Sequence, residues 1–277
     1  MPCVQSARPR TELAPFVRAY AQRIVGPSDP SWTQSVPAQL EQILNLELGV
    51  QPGIRHRDRH LPDPILLGGA QSDFSGTLTL HPGVVSFAIF FWPSGWSRLF
   101  NIPVKEITDS FADATIHHGR DIRHLWNQLG EAATFERRVA IVDAFLLRRL
   151  PHAQTAGRID RAIHLLFQNH GAVRIPHLGR RGSLSLRQFE RVFQAHVGMP
   201  PKMFARIARF QFALDAKLAN PARTWLDIAH TFGYYDQMHM IHDFELLGRH
   251  TPTQLLHAMG DVRPAALVDS ESTGDPA

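Results

Sequence analysis

The chain has 277 residues, of which 44% are hydrophobic and 19% are charged, and it contains a single cysteine, Cys3. This apolar fraction is enough for a packed core, so a largely disordered chain is excluded. One cysteine excludes a disulfide framework and a cysteine-rich zinc module, and no apolar run reaches the ~18 residues of a membrane span. We therefore expect a cytoplasmic protein with no membrane partner.

The excess of positive charge is confined to one part of the chain. Residues 158–256 contain 13 Lys and Arg against 7 Asp and Glu, whereas residues 1–157 contain 15 against 14. Because only three of these residues are lysine, the excess is mostly arginine, whose planar guanidinium suits phosphates and guanine edges. The charge fits a DNA-binding segment and, equally well, a solvated basic surface.

Residues 1–132 predict a β-rich, barrel-like domain. Short apolar or alternating runs between Pro- and Gly-containing turn signals are typical of strands, and they occur at residues 42–49, 65–68, 76–80 and 84–92. Residues 13–23 fit either a helix or an edge strand. A helix is also expected around residues 121–129.

The pattern becomes helical from Thr134 onward. Apolar residues then recur every three or four positions up to Leu150, so residues 133–157 predict a helix, with Thr134 as its N-cap, followed by a linker. Residues 158–260 predict an all-α domain. Residues 261–277 are small and acidic, and they predict a disordered tail.

Within the predicted all-α domain, a short helix, a turn and a longer helix occur twice. Ser185 caps the first longer helix and forms a capping box with Gln188, and Asp236 caps the second. A long helix after Pro200 joins the two units. This arrangement is that of the helix-turn-helix, whose second helix can enter a major groove. The predicted fold class is therefore α+β multidomain, with a tandem helix-turn-helix domain at the C-terminal end.

Residues 227–252 resemble the signature of AraC/XylS-type transcription regulators, and residues 184–214 resemble the first recognition helix and the linker helix of that family. Residues 87–110 resemble, more weakly, a cupin-like domain found ahead of such DNA-binding domains. The resemblance implies a transcription regulator that binds double-stranded DNA. It further implies an N-terminal domain that senses a small-molecule effector or forms a homodimer, and RNA polymerase as a candidate partner. The matching pairs are Ile228-Ala229, Gly233-Tyr234, Asp236-Gln237 and Thr251-Pro252.

Residues that project from the start of each predicted recognition helix are candidate DNA contacts. Arginine reads guanine and glutamine reads adenine in the major groove, and hydroxyl groups donate to phosphates. The competing interpretation is a solvated helix face, and Asp236 also fits the role of a cap. The candidates are Ser185, Arg187, Gln188 and Arg191 in the first unit and Tyr235, Asp236, Gln237, His239 and His242 in the second.

Two other functions stay open. The first is a metal-dependent cupin-type enzyme that carries a helical DNA-binding domain. Such an enzyme needs two histidines in an H-x-H strand, whereas His56 and His60 are four apart in a predicted loop, so we expect no metal, no cofactor and no catalytic residue. The second is a degenerate regulator that acts through protein contacts alone, because Gly179, Gly182 and Glu245 depart from the family pattern.

Overall fold

The computed structural model describes residues 3–56, 59–61, 63–74, 76–102, 104–181 and 184–259. The N-terminal part of this region forms two antiparallel sheets. The six-stranded sheet has the order β1-β2-β9-β4-β7-β10, and the four-stranded sheet has the order β3-β8-β5-β6. The strands are β1 (Cys3–Ala7), β2 (Val17–Ile24), β3 (Trp32–Val36), β4 (Gln42–Glu47), β5 (Gly53–His56), β6 (Arg59–Leu61), β7 (Ile65–Gly68), β8 (Gly76–Leu80), β9 (Val85–Phe91) and β10 (Phe111–Asp113).

One face of the six-stranded sheet packs against three helices. Because side chains alternate along a strand, Tyr20 of β2 and Phe87 of β9 point to this face, where they are buried with Trp96 and Phe145 in one core. The predicted helix after Thr134 therefore packs on the sheets, and the Thr134 hydroxyl accepts a hydrogen bond from the amide of Arg137 as expected of an N-cap. The helices are α1 (Gly95–Phe100), α2 (Thr115–Glu131) and α3 (Phe135–Leu147).

The expected β-rich domain is confirmed, with two differences in detail. The ambiguous segment 13–23 contains β2, which lies between β1 and β9, so β1 rather than β2 forms the edge of the sheet. The segment containing His56 and His60 is not a simple loop, because His56 of β5 pairs with Arg59 of β6 in a hairpin. The predicted helix at residues 121–129 lies within α2.

The C-terminal part is all-α and has the expected tandem arrangement. The helices surround one core that contains Phe189, Phe193, Phe210 and Phe244. Helix α10, after the second unit, was not predicted. No helix in the described ranges is long and apolar enough to cross a membrane, and the predicted tail lies outside the described residues. The helices are α4 (Arg158–Gln168), α5 (Ile175–Arg181), α6 (Leu186–Val197), α7 (Pro201–Ala219), α8 (Trp225–Thr231), α9 (Gln237–Gly248) and α10 (Pro252–Met259).

The two domains are joined by a buried polar network centred on α7. Arg18 of β2 forms an ion pair with Glu41 and lies 3.8 Å from the Asp215 carboxylate of α7. Gln211, also on α7, donates to Glu41 Oε2 at 2.7 Å and accepts from the amide of Leu40 at 3.1 Å. Buried charges are stable only when they are paired, so this network holds α7 against the sheets.

Further contacts fix other helices of the C-terminal domain. The amide of Ala38 donates to the carbonyl of Leu247 in α9 at 2.8 Å. Asp160 of α4 accepts a hydrogen bond of 2.6 Å from Ser94. Gly198, at the end of α6, approaches Thr108 so closely that an added Cβ would lie 1.8 Å from its hydroxyl oxygen. The N-terminal domain therefore contacts both longer helices of the tandem units.

Candidate nucleic-acid interface

Helix α6 has well-defined ends. The hydroxyl of Ser185 accepts from the amide of Gln188 at 3.3 Å, and Gln188 Oε1 accepts from the amide of Ser185 at 3.0 Å, which completes the predicted capping box. Gly198 ends the helix with a φ of +85°, a conformation that glycine adopts without strain. Phe189 and Phe193 are fully buried. The opposite face of α6 is thereby turned to solvent.

Arg187 and Arg191 lie one helical turn apart on this exposed face of α6. Within the described residues neither of them has a hydrogen bond or an ion pair. Ser185 and Gln188 are also exposed, and they are hydrogen-bonded to each other in the capping box, which leaves the side-chain amide nitrogen of Gln188 on the surface. Gln194 continues the arginine stripe at the i+7 position from Arg187, and the sequence prediction missed it although helical spacing could have identified it.

Helix α9 begins at Asp236, whose carboxylate accepts from the amide of His239 at 2.7 Å. The ring of His239 in turn accepts a hydrogen bond from the amide of Tyr235 at 3.3 Å and packs edge-on against Tyr234 at 5.3 Å. Two of the five candidates in the second unit, Asp236 and His239, therefore stabilise the turn and the start of the helix. The Asp236 interaction follows from the local preference of carboxylates for helix N-termini.

The other three candidates of the second unit are exposed. Tyr235 is 89% exposed, and Gln237 and His242 are exposed as well. The adjacent Met238 is 69% exposed and was not among the predicted contacts. Its exposure follows from the helical period, because the buried Met240 and Phe244 define the opposite face of α9.

A buried ion pair connects α9 to the long helix α7. Arg206 of α7 donates through Nε to Asp243 Oδ1 at 2.6 Å, and Asp243 is fully buried. Burial, assisted by the Asp243 carboxylate, raises the pKa of the nearby Tyr234 above its ordinary value. The rings of Phe210 in α7 and Phe244 in α9 meet edge to face at 4.7 Å. Helix α9 is therefore held rigidly on α7.

A second feature is a cavity of about 130 Å³ between the two sheets. The inner face of the six-stranded sheet forms its floor, where small side chains, Ala21 of β2 and Ala88 of β9, leave space. Phe210 and Leu214 of α7, together with Met259 of α10, line the side of the cavity formed by the C-terminal domain. The cavity thus lies at the contact between the two domains.

Arg23 and Ser86 line one end of the cavity floor, and Glu47 lies next to Ser86 on the adjacent strand. Arg23 and Glu47 flank Ser86 on adjacent strands, and the Ser86 hydroxyl donates to Glu47 Oε1 at 3.0 Å. Burial raises the pKa of Glu47 to about 7, against the opposing effects of Ser86 and Arg23, and burial lowers the pKa of Arg23 to about 10. Across the cavity, the buried side-chain oxygen of Gln34 has no hydrogen-bond partner in the described residues.

The described residues contain no group of three or more His, Cys, Asp or Glu side chains arranged to hold a metal ion. His56 instead packs edge-on against Phe111, with ring centroids 4.9 Å apart. A side chain placed in this way contributes to the packing between β5 and β10.

Comparisons with known proteins agree with the helical architecture. A family model described as a helix-turn-helix domain matches residues 178–258. ToxT from Vibrio cholerae O395 has a similar structure, with 8% identity, a TM-score of 0.50 and coverage of 94% of this chain and 99% of that chain. An apo variant of ToxT from Vibrio cholerae strain SCE256 gives 7% identity, a TM-score of 0.52 and coverage of 87% and 98%.

The AraC-like transcriptional activator CuxR is more distant, with 14% identity, a TM-score of 0.29 and coverage of 69% of this chain and 80% of that chain. No curated protein sequence matches the chain. The family model covers both helix-turn-helix units, from α5 to α10, and the ToxT structures share the two-domain fold. Residues 178–258 are thus matched by a helix-turn-helix domain, which is a DNA-binding module, and the chain shares the two-domain fold of the ToxT structures.

Proposed function

We propose that α6 and α9 enter successive major-groove segments of one DNA duplex. The observation that carries this proposal is the pair of exposed arginines, Arg187 and Arg191, one turn apart on α6 and without partners in the described residues. Helix α7 sets the separation of the two recognition helices near one turn of DNA, ~34 Å. The ion pair between Arg206 and Asp243 keeps α9 at that separation.

Arginine contacts would supply most of the affinity. Each guanidinium that neutralises a phosphate releases a counterion, so binding weakens steeply as salt rises. An arginine that reaches a guanine edge adds sequence preference through two hydrogen bonds. Of the second-unit candidates, Gln237 is suited to a base edge, and Tyr235 and His242 are suited to the backbone.

The test is binding of the full chain, at two salt concentrations, to the DNA upstream of its own gene. We expect Arg187→Ala and Arg191→Ala each to weaken binding about ten-fold, a typical effect of removing one such contact, without a change in melting temperature. The matched control is Arg123→Ala, which removes an exposed arginine from α2 in the N-terminal domain. Wild-type affinity in both α6 variants would refute the proposal and favour a regulator that acts through protein contacts alone.

We further propose that the cavity between the sheets is the site of a small-molecule effector. A ligand with a hydrogen-bonding head group and an apolar body fits it, because Arg23 and Gln34 line it together with the apolar Phe90. Since Phe210 and Leu214 belong to α7, an occupied cavity would act directly on the helix that spaces the two DNA-binding units.

The effector proposal is tested by thermal shift of the full chain against a collection of small metabolites. A binder should stabilise the wild type by mass action, and Ala88→Leu, which fills the cavity, should abolish this shift. An equal shift in Ala88→Leu would place the ligand elsewhere. We infer a regulatory rather than an enzymatic role, because the matching family model is a DNA-binding module. A homodimer and contact with RNA polymerase stay predictions, and sedimentation of the full chain tests the first.

A further inference from the structure

The two recognition helices carry different surface chemistry. Helix α6 exposes Arg187 and Arg191, whereas α9 has no Lys or Arg between its first residue, Gln237, and its last, Gly248. The only exposed charge within α9 is the carboxylate of Glu245. Helix α9 therefore cannot use arginine to read guanine, and its affinity for DNA must come from other contacts.

Several polar groups of α9 are already engaged within the protein. Asp236 caps the helix, the ring of His239 accepts from the amide of Tyr235, and Asp243 is buried against α7. Among the residues that remain exposed on the first turn, Met238 is the large apolar one, and the residue is 69% exposed. Any ligand of the first turn of α9 must therefore contact a thioether side chain.

The DNA major groove offers one apolar group to such a side chain, the 5-methyl group of thymine. Methionine is unbranched and polarisable, so it adapts to an apolar surface whose position is not fixed in advance. Burying a methyl group against Met238 would remove apolar surface of both partners from water, which is favourable. Cytosine and the purines lack this methyl group and would gain nothing from the contact.

Resting on the proposed DNA-binding function, we propose that α9 selects thymine through apolar contact of Met238 with the 5-methyl group. The operator then has two unlike segments about one helical turn apart. Arg187 and Arg191 read guanine in one segment, and Met238 reads thymine in the other. Gln237, exposed on the same turn as Met238, is placed to read an adenine edge close to that thymine.

The experiment begins with selection of duplexes from a random pool by the full-length chain. In the selected duplex, each thymine of the segment that lies a turn away from the guanine contacts is then replaced by deoxyuridine, which removes only the methyl group. For the wild type we expect one replacement to weaken binding about four-fold, as for one buried methyl group. For Met238→Ala the same replacement should have no effect.

Two control variants separate this contact from general effects. Leu246→Ala removes an exposed apolar side chain near the other end of α9, and it should keep the full sensitivity to deoxyuridine. Arg187→Ala should weaken binding to the thymine duplex and to the deoxyuridine duplex by the same factor. Because Met238 is exposed, Met238→Ala should keep the wild-type melting temperature.

The outcomes separate the inference from the proposed function. The thymine contact is overturned if the wild type binds the selected duplex equally well with deoxyuridine at every thymine position. It is also overturned if deoxyuridine weakens binding of Met238→Ala as much as binding of the wild type. Both results leave DNA binding in place. Selected duplexes that lack a preferred segment one turn away from the guanine contacts also overturn it. They indicate that the first turn of α9, with Met238, contacts a protein instead of DNA. If the pool yields no preferred duplex and Arg187→Ala has no effect, the proposed function itself fails.

Discussion

The side chain of Gln211 is hydrogen-bonded at both of its ends to the N-terminal domain, although it lies 170 residues from Glu41 in the chain. Its amide nitrogen donates to Glu41 Oε2 at 2.7 Å, and its oxygen accepts from the amide of Leu40 at 3.1 Å. Since Gln211 belongs to α7, the helix between the two DNA-binding units is positioned by the sheets as well as by its own domain.

Loss of this contact should destabilise the protein. In Gln211→Leu the amide of Leu40 loses its acceptor and Glu41 loses a donor, and each buried group left without a partner costs about 1–3 kcal/mol. We expect the free energy of unfolding to fall by about 2 kcal/mol or more in urea denaturation. The matched control is Gln168→Leu, an exposed glutamine on α4, which should change it by less than about 0.5 kcal/mol. Equal stability of the two variants would contradict the structural role of Gln211.

The raised pKa of Glu47 makes stability depend on pH. Folded Glu47 has a pKa of about 7 against 4.5 in the unfolded chain, so the folded state binds this proton more tightly. The stabilisation is complete below about pH 4.5 and is lost as the pH rises through 7. Glu47→Gln should therefore be more stable than the wild type at pH 8, by about 3 kcal/mol at most, and the difference should shrink toward pH 5.

Denaturation of both proteins between pH 5 and 8 measures this difference. Glu131→Gln is the control, because Glu131 is exposed at the end of α2 and its substitution should leave the pH profile unchanged. Parallel stability profiles of Glu47→Gln and the wild type would show that the pKa of Glu47 is not raised in the folded protein.

Two glycines should respond in opposite ways to alanine. Gly198 has a φ of +85°, and an added Cβ would meet the Thr108 hydroxyl oxygen at 1.8 Å, so Gly198→Ala should destabilise the protein by about 2 kcal/mol or more. Gly119 lies within α2 with no atom near an added Cβ, so Gly119→Ala should stabilise it by about 1 kcal/mol. A Gly198→Ala variant that melts at or above the wild-type temperature would refute the close contact between α6 and Thr108.

The salt dependence of DNA binding should come mainly from the first unit. In the double variant Arg187→Ala/Arg191→Ala, the slope of log affinity against log salt should become less steep by about 1 for each arginine that neutralises a phosphate in addition to reading guanine. Met238→Ala should leave the slope unchanged because it removes no charge. An unchanged slope in the double variant would mean that neither arginine lies near a phosphate.

Local signals in the sequence predict the caps of the helical domain. Ser185 and Asp236 each accept the hydrogen bond expected of an N-cap, because this interaction depends on residues within three positions of the cap. The same locality explains why the helical half is easier to predict than the β-rich half. Segment 13–23 has an ambiguous pattern, and its interior place in the sheet depends on pairing with β1, which lies at the N-terminal end of the chain.

The long-range contacts have no counterpart in the sequence pattern. Nothing near Glu41 indicates a partner on α7, and nothing in the spacing of His239 shows that its ring binds the preceding turn. Met238 was not among the predicted contacts, and only the structure shows that it is exposed while Met240 occupies the buried position of α9. Such assignments require knowing how each helix is rotated about its own axis relative to its neighbours, because this rotation decides which residues are buried.

The cavity shares residues with the helix that spaces the DNA-binding units, and this constrains how the protein can diversify. A substitution at Phe210 or Leu214 that reshapes the cavity for another small molecule also alters how α7 rests on the sheets. With the proposed effector in this cavity, ligand preference and operator spacing cannot evolve independently at these positions. A chimera that exchanges only the sheets between related regulators should lose the coupling between small-molecule binding and DNA binding. A chimera that transfers α7 together with the sheets should keep this coupling.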